Sequence, residues 1–247
     1  MEIGASAFSS KLLANNSPNS VHCNVPSRVT LRTPQGELVI GAVPRVVGTL
    51  SAFPVPGTAR DVCDIVEVRL DLLGTGVTWP PIDLPVLLTI RSNTEGGQWS
   101  GPDKERLELY RKWIPLVAAV DVELNSSIAG DVCKLARDAG KASIVSFHDF
   151  SATPTLEVLE AIVERGRGVG SLVKIVTLAN TERDVEILRT LLSKRQGPLC
   201  VMGMGQQAAM TRLEFPKLGS CLTYGYLDKP LAPGQTSAAE LSAQLRK

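Results

Sequence analysis

Long apolar runs are missing from this sequence. None approaches the ~18–20 residues that a membrane-spanning helix requires, so no membrane partner is expected. A surplus of one charge sign is missing as well. The chain has 26 Lys and Arg against 25 Asp and Glu, a net charge of +1, and no basic stripe stands out. That balance argues against a nucleic-acid partner. Cysteine is present but unorganised. Cys23, Cys63, Cys133, Cys200 and Cys221 follow neither metal-ligand nor disulfide spacing. Four of them sit among apolar residues, where a free thiol behaves as a small hydrophobe. A reduced, cytoplasmic compartment is therefore expected. Histidine is nearly absent: the chain has His22 and His148 only. His22 and Cys23 alone do not make a metal site, and no metal is expected.

Residues 1–28 are rich in Ser, Asn and Ala and show little periodicity. They are expected to be a disordered extension. They have neither the apolar core of a secretory signal nor the arginine content of a transit peptide. Residues 29–247 are expected to form one domain. A chain of 247 residues, 44% hydrophobic, has the length of an α/β barrel. Val29-Thr30-Leu31-Arg32 and Leu38-Val39-Ile40 flank Pro34-Gln35-Gly36, which predicts a β-hairpin. Short apolar strands then begin near Val46, Ile65, Val86, Val117, Ser143, Leu172, Leu199 and Leu222. Helical patterns separate most of them. Leu107, Tyr110 and Ile114 share a helix face. Thr153-Pro154 reads as an N-cap with proline at the first helical position. Thr181-x-x-Asp184 and Ser237-x-x-Glu240 read as helix starts of the capping-box kind. Eight strands alternating with helices predict a parallel sheet closed into a (β/α)8 barrel, also called a TIM barrel. Phe53–Arg60 and Gly74–Leu84 are short and proline-rich, so the early crossovers are expected to be loops.

Barrels of this kind carry their chemistry at the C-terminal ends of the strands. Ser171–Ala179 is an apolar, β-branched run with Lys174 at its centre, and alternation puts Leu172, Lys174 and Val176 on one face. Desolvation favours a neutral amine, the form that attacks carbonyls. A lysine snorkelling to the rim or pairing with a buried carboxylate is the plainer reading. Glu67, Arg69 and Asp71 alternate along the second strand, either as a structural ion-pair ladder or as a binding face. Arg91 follows the third strand, ahead of Glu95-Gly96-Gly97. Ser146, His148 and Asp149 end the fifth. Met202, Met204 and Arg212 follow the seventh, and Ala232-Pro233-Gly234-Gln235 the eighth. A buried lysine one strand from a histidine suits imine chemistry, with lysine as nucleophile and histidine as proton carrier.

These motifs, in this order, closely resemble type I 3-dehydroquinate dehydratase of the shikimate pathway. The stretches that carry the resemblance are Val66–Asp71, Thr89–Ser92 with Glu95-Gly96-Gly97, Ser146–Phe150 with Thr153-Pro154, Val173-Lys174-Ile175, Met202–Gly205, Thr211-Arg212, Leu218–Ser220, Leu222–Gly225 and Ala232–Gln235. The resemblance implies a barrel closed at its N-terminal end by the hairpin, and dehydration of 3-dehydroquinate through a lysine Schiff base without metal or cofactor. By position, it implies that Lys174 forms the imine and His148 moves the protons. Glu95 tunes His148. Arg212 and Gln235 hold the substrate carboxylate, and Glu67, Arg69 and Arg91 bind the ring hydroxyls. It also implies a homodimer. The chain departs from the family in three places. Leu231 stands where serine is common, the Gly74–Leu84 segment is shorter, and the stretch before Val29 is additional. The plant version carries a shikimate dehydrogenase downstream; a monofunctional enzyme is expected here. Two other readings remain at this point: a class I aldolase, whose phosphate site the Arg212 and Ala-Pro-Gly-Gln region does not resemble, and a barrel that binds without catalysing.

Overall fold

A computed structural model describes residues 28–205, 209–231 and 235–246. The extension expected over 1–28, with His22 and Cys23, lies outside the described residues except for Arg28. The chain then forms an antiparallel hairpin, β1 (Val29–Thr33) and β2 (Gly36–Ile40), with Val29 opposite Ile40. Alternation gives the hairpin a buried face of Val29, Leu31 and Ile40. That face closes the N-terminal mouth of the barrel, against Ile65, Leu87, Ala119, Ile144 and Leu172.

The barrel strands are β3 (Arg45–Leu50), β4 (Ile65–Arg69), β5 (Val86–Thr89), β6 (Ala119–Glu123), β7 (Ala142–Asp149), β8 (Leu172–Leu178), β9 (Leu199–Met204) and β10 (Leu222–Tyr226). They pair in the order β10-β3-β4-β5-β6-β7-β8-β9, all parallel. Between β9 and β10 the ladder gives way to a seam. Cys221 N donates to Leu199 O at 2.9 Å. Val201 N donates to the Ser220 hydroxyl at 3.0 Å, and the Cys200 thiol to Leu222 O at 3.3 Å. The barrel is thus nearly closed, and the expected α/β fold is the one observed.

The helices are α1 (Ala59–Val62), α2 (Leu70–Leu73), α3 (Asp103–Trp113), α4 (Ala129–Asp138), α5 (Leu156–Arg167), α6 (Glu182–Ser193), α7 (Thr211–Lys217) and α8 (Ala238–Leu245). α1 and α2 are single turns, so the first two crossovers are mostly loop, as their prolines predict. Both capping boxes form, at Thr181 with Asp184 and at Ser237 with Glu240. Two local expectations need correction. β6 begins at Ala119 rather than Val117, because a 3-10 turn over Ile114–Leu116 takes up the approach. Thr153 is not an N-cap: Thr155 holds that place. The Thr153 hydroxyl instead bonds Leu178 O at 2.9 Å and Thr177 Oγ1 at 2.8 Å, so a tie to the neighbouring strand wins over a local cap. The expected face of Leu107, Tyr110 and Ile114 packs into the core, with Arg106 and Trp113 buried beside it.

Candidate active site

The C-terminal ends of the strands open into a cavity of about 210 Å³. Lys174, His148, Glu95, Glu67, Arg69, Arg91, Arg212 and Gln235 all line it. Lys174 projects from β8 into the barrel, buried, directly above Leu172 on the same face. Its Nζ donates to Asp121 Oδ2 at 3.2 Å and lies 4.0 Å from the centre of the Tyr224 ring. Asp121 on β6 also accepts from Arg91 Nη2 and from the Ser146 hydroxyl, each at 2.7 Å. Burial alone would raise its carboxyl, but Arg91 and Lys174 hold it well below the usual carboxylate range.

Register places His148 one layer above the lysine: Ser146 pairs with Lys174 and His148 with Val176. Glu95 Oε2 meets His148 Nδ1 at 3.0 Å and accepts its backbone N–H at 3.1 Å. With Nδ1 engaged, Nε2 is the ring nitrogen left for chemistry. Burial, with Arg91 and Lys174 nearby, drives the imidazole well below its ordinary pKa. Burial also pushes the Glu95 carboxyl up to about 7; Arg91 opposes this and Glu123 adds to it. Both shifts favour uncharged forms, so near neutral pH the imidazole is a free base.

The turn that presents Glu95 has little freedom. Ser92 caps the 3-10 turn Asn93–Glu95 by accepting from Thr94 N at 3.3 Å. Gly96 follows at φ +75°, and a Cβ on Gly97 would fall 2.0 Å from Arg91 O. Both positions therefore require glycine.

Glu67 accepts from the hydroxyls of Thr49 at 2.7 Å and Thr89 at 2.8 Å. Asp71 does not continue the strand face. β4 ends at Arg69, and Asp71 lies on α2, where it grips Arg69 through two hydrogen bonds of 2.9 and 2.7 Å. The Asp71 carboxylate also accepts from Gln98 N at 3.1 Å, tying the Glu95 loop to β4. Arg212 donates to Tyr224 O at 3.0 Å and has no ion-pair partner among the described residues, and burial lowers its pKa. A desolvated guanidinium without a carboxylate is a receptor for an anion. Gln235 lines the cavity, and its Oε1 accepts from Leu231 N at 2.7 Å. Leu231 lines the cavity, and Ala232, Pro233 and Gly234 lie outside the described residues.

Sequence reasoning missed Asp121 and Tyr224. The signal for Asp121 was there: Asp121 and Glu123 alternate within the apolar stretch Ala118–Leu124, the same pattern that drew notice to Glu67 and Arg69. Tyr224 carried no such signal, since an aromatic in a buried strand is ordinary packing. Its buried hydroxyl has no hydrogen-bond partner among the described residues.

A parallel barrel whose strand ends gather an amine, an imidazole–carboxyl pair and three arginines around a small cavity is a (β/α)8-barrel enzyme for a small anionic substrate. Residues 56–247 match the model of the type I 3-dehydroquinase family, and the chain belongs to that family. It is 35% identical over 189 residues to the 3-dehydroquinate dehydratase of Methanocella arvoryzae, covering 74% of this chain and 86% of that protein. It is 36% identical over 183 residues to the 3-dehydroquinate dehydratase of Methanocaldococcus jannaschii, covering 71% and 83%. Its fold is similar to that of 3-dehydroquinate dehydratase from Geobacillus kaustophilus, with a TM-score of 0.76 at 24% identity, over 90% of this chain and 96% of that one.

Proposed function

We propose that the protein converts 3-dehydroquinate to 3-dehydroshikimate by syn elimination through an imine on Lys174. The observation that carries this reading is Lys174 itself, a primary amine buried inside the barrel at the base of the cavity, one strand from His148. Family membership supports the overall reaction, a carbon–oxygen hydro-lyase step of the shikimate pathway. His148 takes a proton from the Lys174 ammonium, the freed amine adds to the ring ketone, and return of that proton expels water from the carbinolamine to give a protonated imine. The imine withdraws electrons and acidifies the adjacent carbon. Neutral His148 removes a proton from that carbon, leaving an enamine. The enamine expels the neighbouring hydroxyl, which departs as water with the proton His148 holds. Hydrolysis of the imine restores Lys174 and releases the product. Two waters leave and one returns, for a net loss of one.

Arg212 and the Gln235 amide take the substrate carboxylate, while Glu67, Arg69 and Arg91 bind the ring hydroxyls. Glu95 holds His148 by Nδ1 and keeps Nε2 aimed at the substrate. No metal or cofactor takes part. The protein works as a homodimer in the cytoplasm, and sedimentation equilibrium checks the first of these. The decisive experiment is an intact-mass spectrum after mixing with 3-dehydroquinate and borohydride, followed by peptide mapping. A reduced adduct on Lys174 is expected. A folded protein that takes no adduct, or takes it elsewhere, overturns the mechanism.

A further inference from the structure

Behind the cavity, a file of buried charges runs from the reacting amine to the outer surface of the barrel. Lys174 meets Asp121 at 3.2 Å, Asp121 meets Arg91 at 2.7 Å, and Arg91 meets Glu123 at 3.2 Å. Glu123 meets Arg106 at 2.8 Å, and Arg106 meets Asp103 at 3.0 Å. The signs alternate at each step. Arg106 is the buried link that comes from a helix. It projects from the first turns of α3 and is 2% exposed, whereas the Asp103 side chain is 39% exposed. Arg106 Nη1 donates to Glu123 Oε2 and, at 3.3 Å, to Ile90 O, the residue before Arg91. Nη2 donates to the Ser126 hydroxyl at 2.6 Å.

Glu123 is held by one oxygen to Arg106 and uses the other on the active-site side. That oxygen, Oε1, accepts from Ser92 N at 2.8 Å and faces Arg91. Ser92 is the residue that caps the turn carrying Glu95. Arg106 therefore acts on two groups it does not touch. Through Glu123 it fixes the start of the Glu95 turn. It also neutralises the carboxylate that would otherwise claim Arg91 from Asp121. A buried ion pair is weak support for a fold, and well-packed apolar residues commonly replace one at little cost. Its place in this file gives Arg106 a different purpose.

We infer that Arg106 is a positioning residue for the dehydration, holding Glu123 so that Arg91, the Glu95 turn and hence His148 keep their geometry and charge balance. The inference rests on the reading of His148 as the base. Charged groups facing His148 and Glu95 are Arg91, Lys174, Asp121, Arg69 and Glu123. Glu123 already raises the Glu95 carboxyl. With Arg106 neutralised, the uncompensated Glu123 charge draws protons to both Glu95 and His148.

The test is the acid limb of the pH profile of kcat/KM, read in the full chain alongside the borohydride adduct. Arg106→Gln keeps a donor toward Glu123 and removes only the charge. Its acid limb is expected to move up by roughly half a unit to one unit, with kcat lowered more than KM is raised. Arg106→Lys keeps the charge and is expected to retain the wild-type limb. Asp103→Asn, at the exposed end, is expected to move the limb down by roughly a quarter of a unit, the opposite direction. This surface variant also decides the matter should Arg106→Gln fail to fold. An unmoved or downward limb in Arg106→Gln, a limb in Arg106→Lys shifted as far as that of Arg106→Gln, or an unmoved or upward limb in Asp103→Asn overturns the inference. A wild-type protein that forms no adduct on Lys174 overturns the imine reading instead, which separates the two failures.

Discussion

The two ends of the barrel interior are built from the same strands and share almost no chemistry. At the N-terminal end, Val47, Ile65, Leu87, Ala119, Ile144 and Leu172 meet the hairpin residues Leu31 and Ile40 in an apolar plug. One layer up, the same strands turn to Thr49, Glu67, Thr89, Asp121, Ser146 and Lys174, all buried and polar. On β8 the change takes two residues, from Leu172 to Lys174. The lower half is paid for by burial of apolar area. The upper half puts charge out of reach of water, which costs free energy, and recovers it only where every group is paired. Most are: Asp121, Glu67, Arg91 and Glu123 each have short partners. Arg212 has no ion-pair partner among the described residues, and so marks where a ligand completes the set. One end of the barrel holds the fold; the other spends part of that stability on a site.

The contrast can be broken from the top first. Lys174→Met replaces an amine by an apolar chain of similar volume. Turnover should fall on the order of 10⁴-fold or more, with an unaltered circular dichroism spectrum and no borohydride adduct. His148→Ala should cost about 10²- to 10⁴-fold in kcat while the adduct on Lys174 still forms, checked by intact mass. Arg212→Leu should raise KM about 10- to 100-fold through loss of a charge-assisted contact, with thermal stability held or raised because a half-buried cation without a carboxylate partner is gone. At the bottom the pattern should invert. Leu172→Ala should lower unfolding free energy by about 2–5 kcal/mol in urea titration and leave the acid limb of kcat/KM where it was.

The smallest effect is pH-linked. The Glu95 carboxyl is raised to about 7 in the folded chain, above its unfolded value, so the folded state holds the extra proton. Between about pH 4.5 and 7 this favours the fold at the acid end, and the benefit disappears as pH rises through 7. Glu95→Gln removes that dependence. Its stability relative to wild type should therefore increase by about 1–3 kcal/mol from pH 5 to pH 8, measured by chemical denaturation at each pH.

How much of this was legible beforehand follows the same division. The frame of the barrel is written in local pattern: apolar strands at intervals, a hairpin turn, two capping boxes. Those features depend on neighbours in sequence, and apart from the later start of β6 they form as read. The cavity residues on strand ends were legible because a lysine, a histidine or an acid stands out against an apolar strand. Arg106 and Asp121 were not read. Arg106 looks like one more charged residue on the amphipathic helix α3, and only the packing of α3 over β5 and β6 reveals it as buried. Thr153 failed as a cap for a related reason, since its better partner lies on a strand more than 20 residues away. A partner brought by tertiary packing leaves no trace in a local window.

The seam between β9 and β10 has a consequence for how the barrel moves. Around the rest of the ring, strands are joined by backbone ladders; here Val201 hangs on a side-chain oxygen and Leu222 accepts from a thiol. A ring opens at its weakest join, and local opening is cheapest where backbone ladder bonds are fewest. That join separates the strand ends leading to Arg212 from those leading to Gln235, the two arms proposed to hold the carboxylate. The amine and imidazole sit on β8 and β7, within continuous ladder. Local opening is therefore expected on the side of the ring that holds the anion rather than on the side that makes the bond, and amide hydrogen exchange would read the two as separate rates.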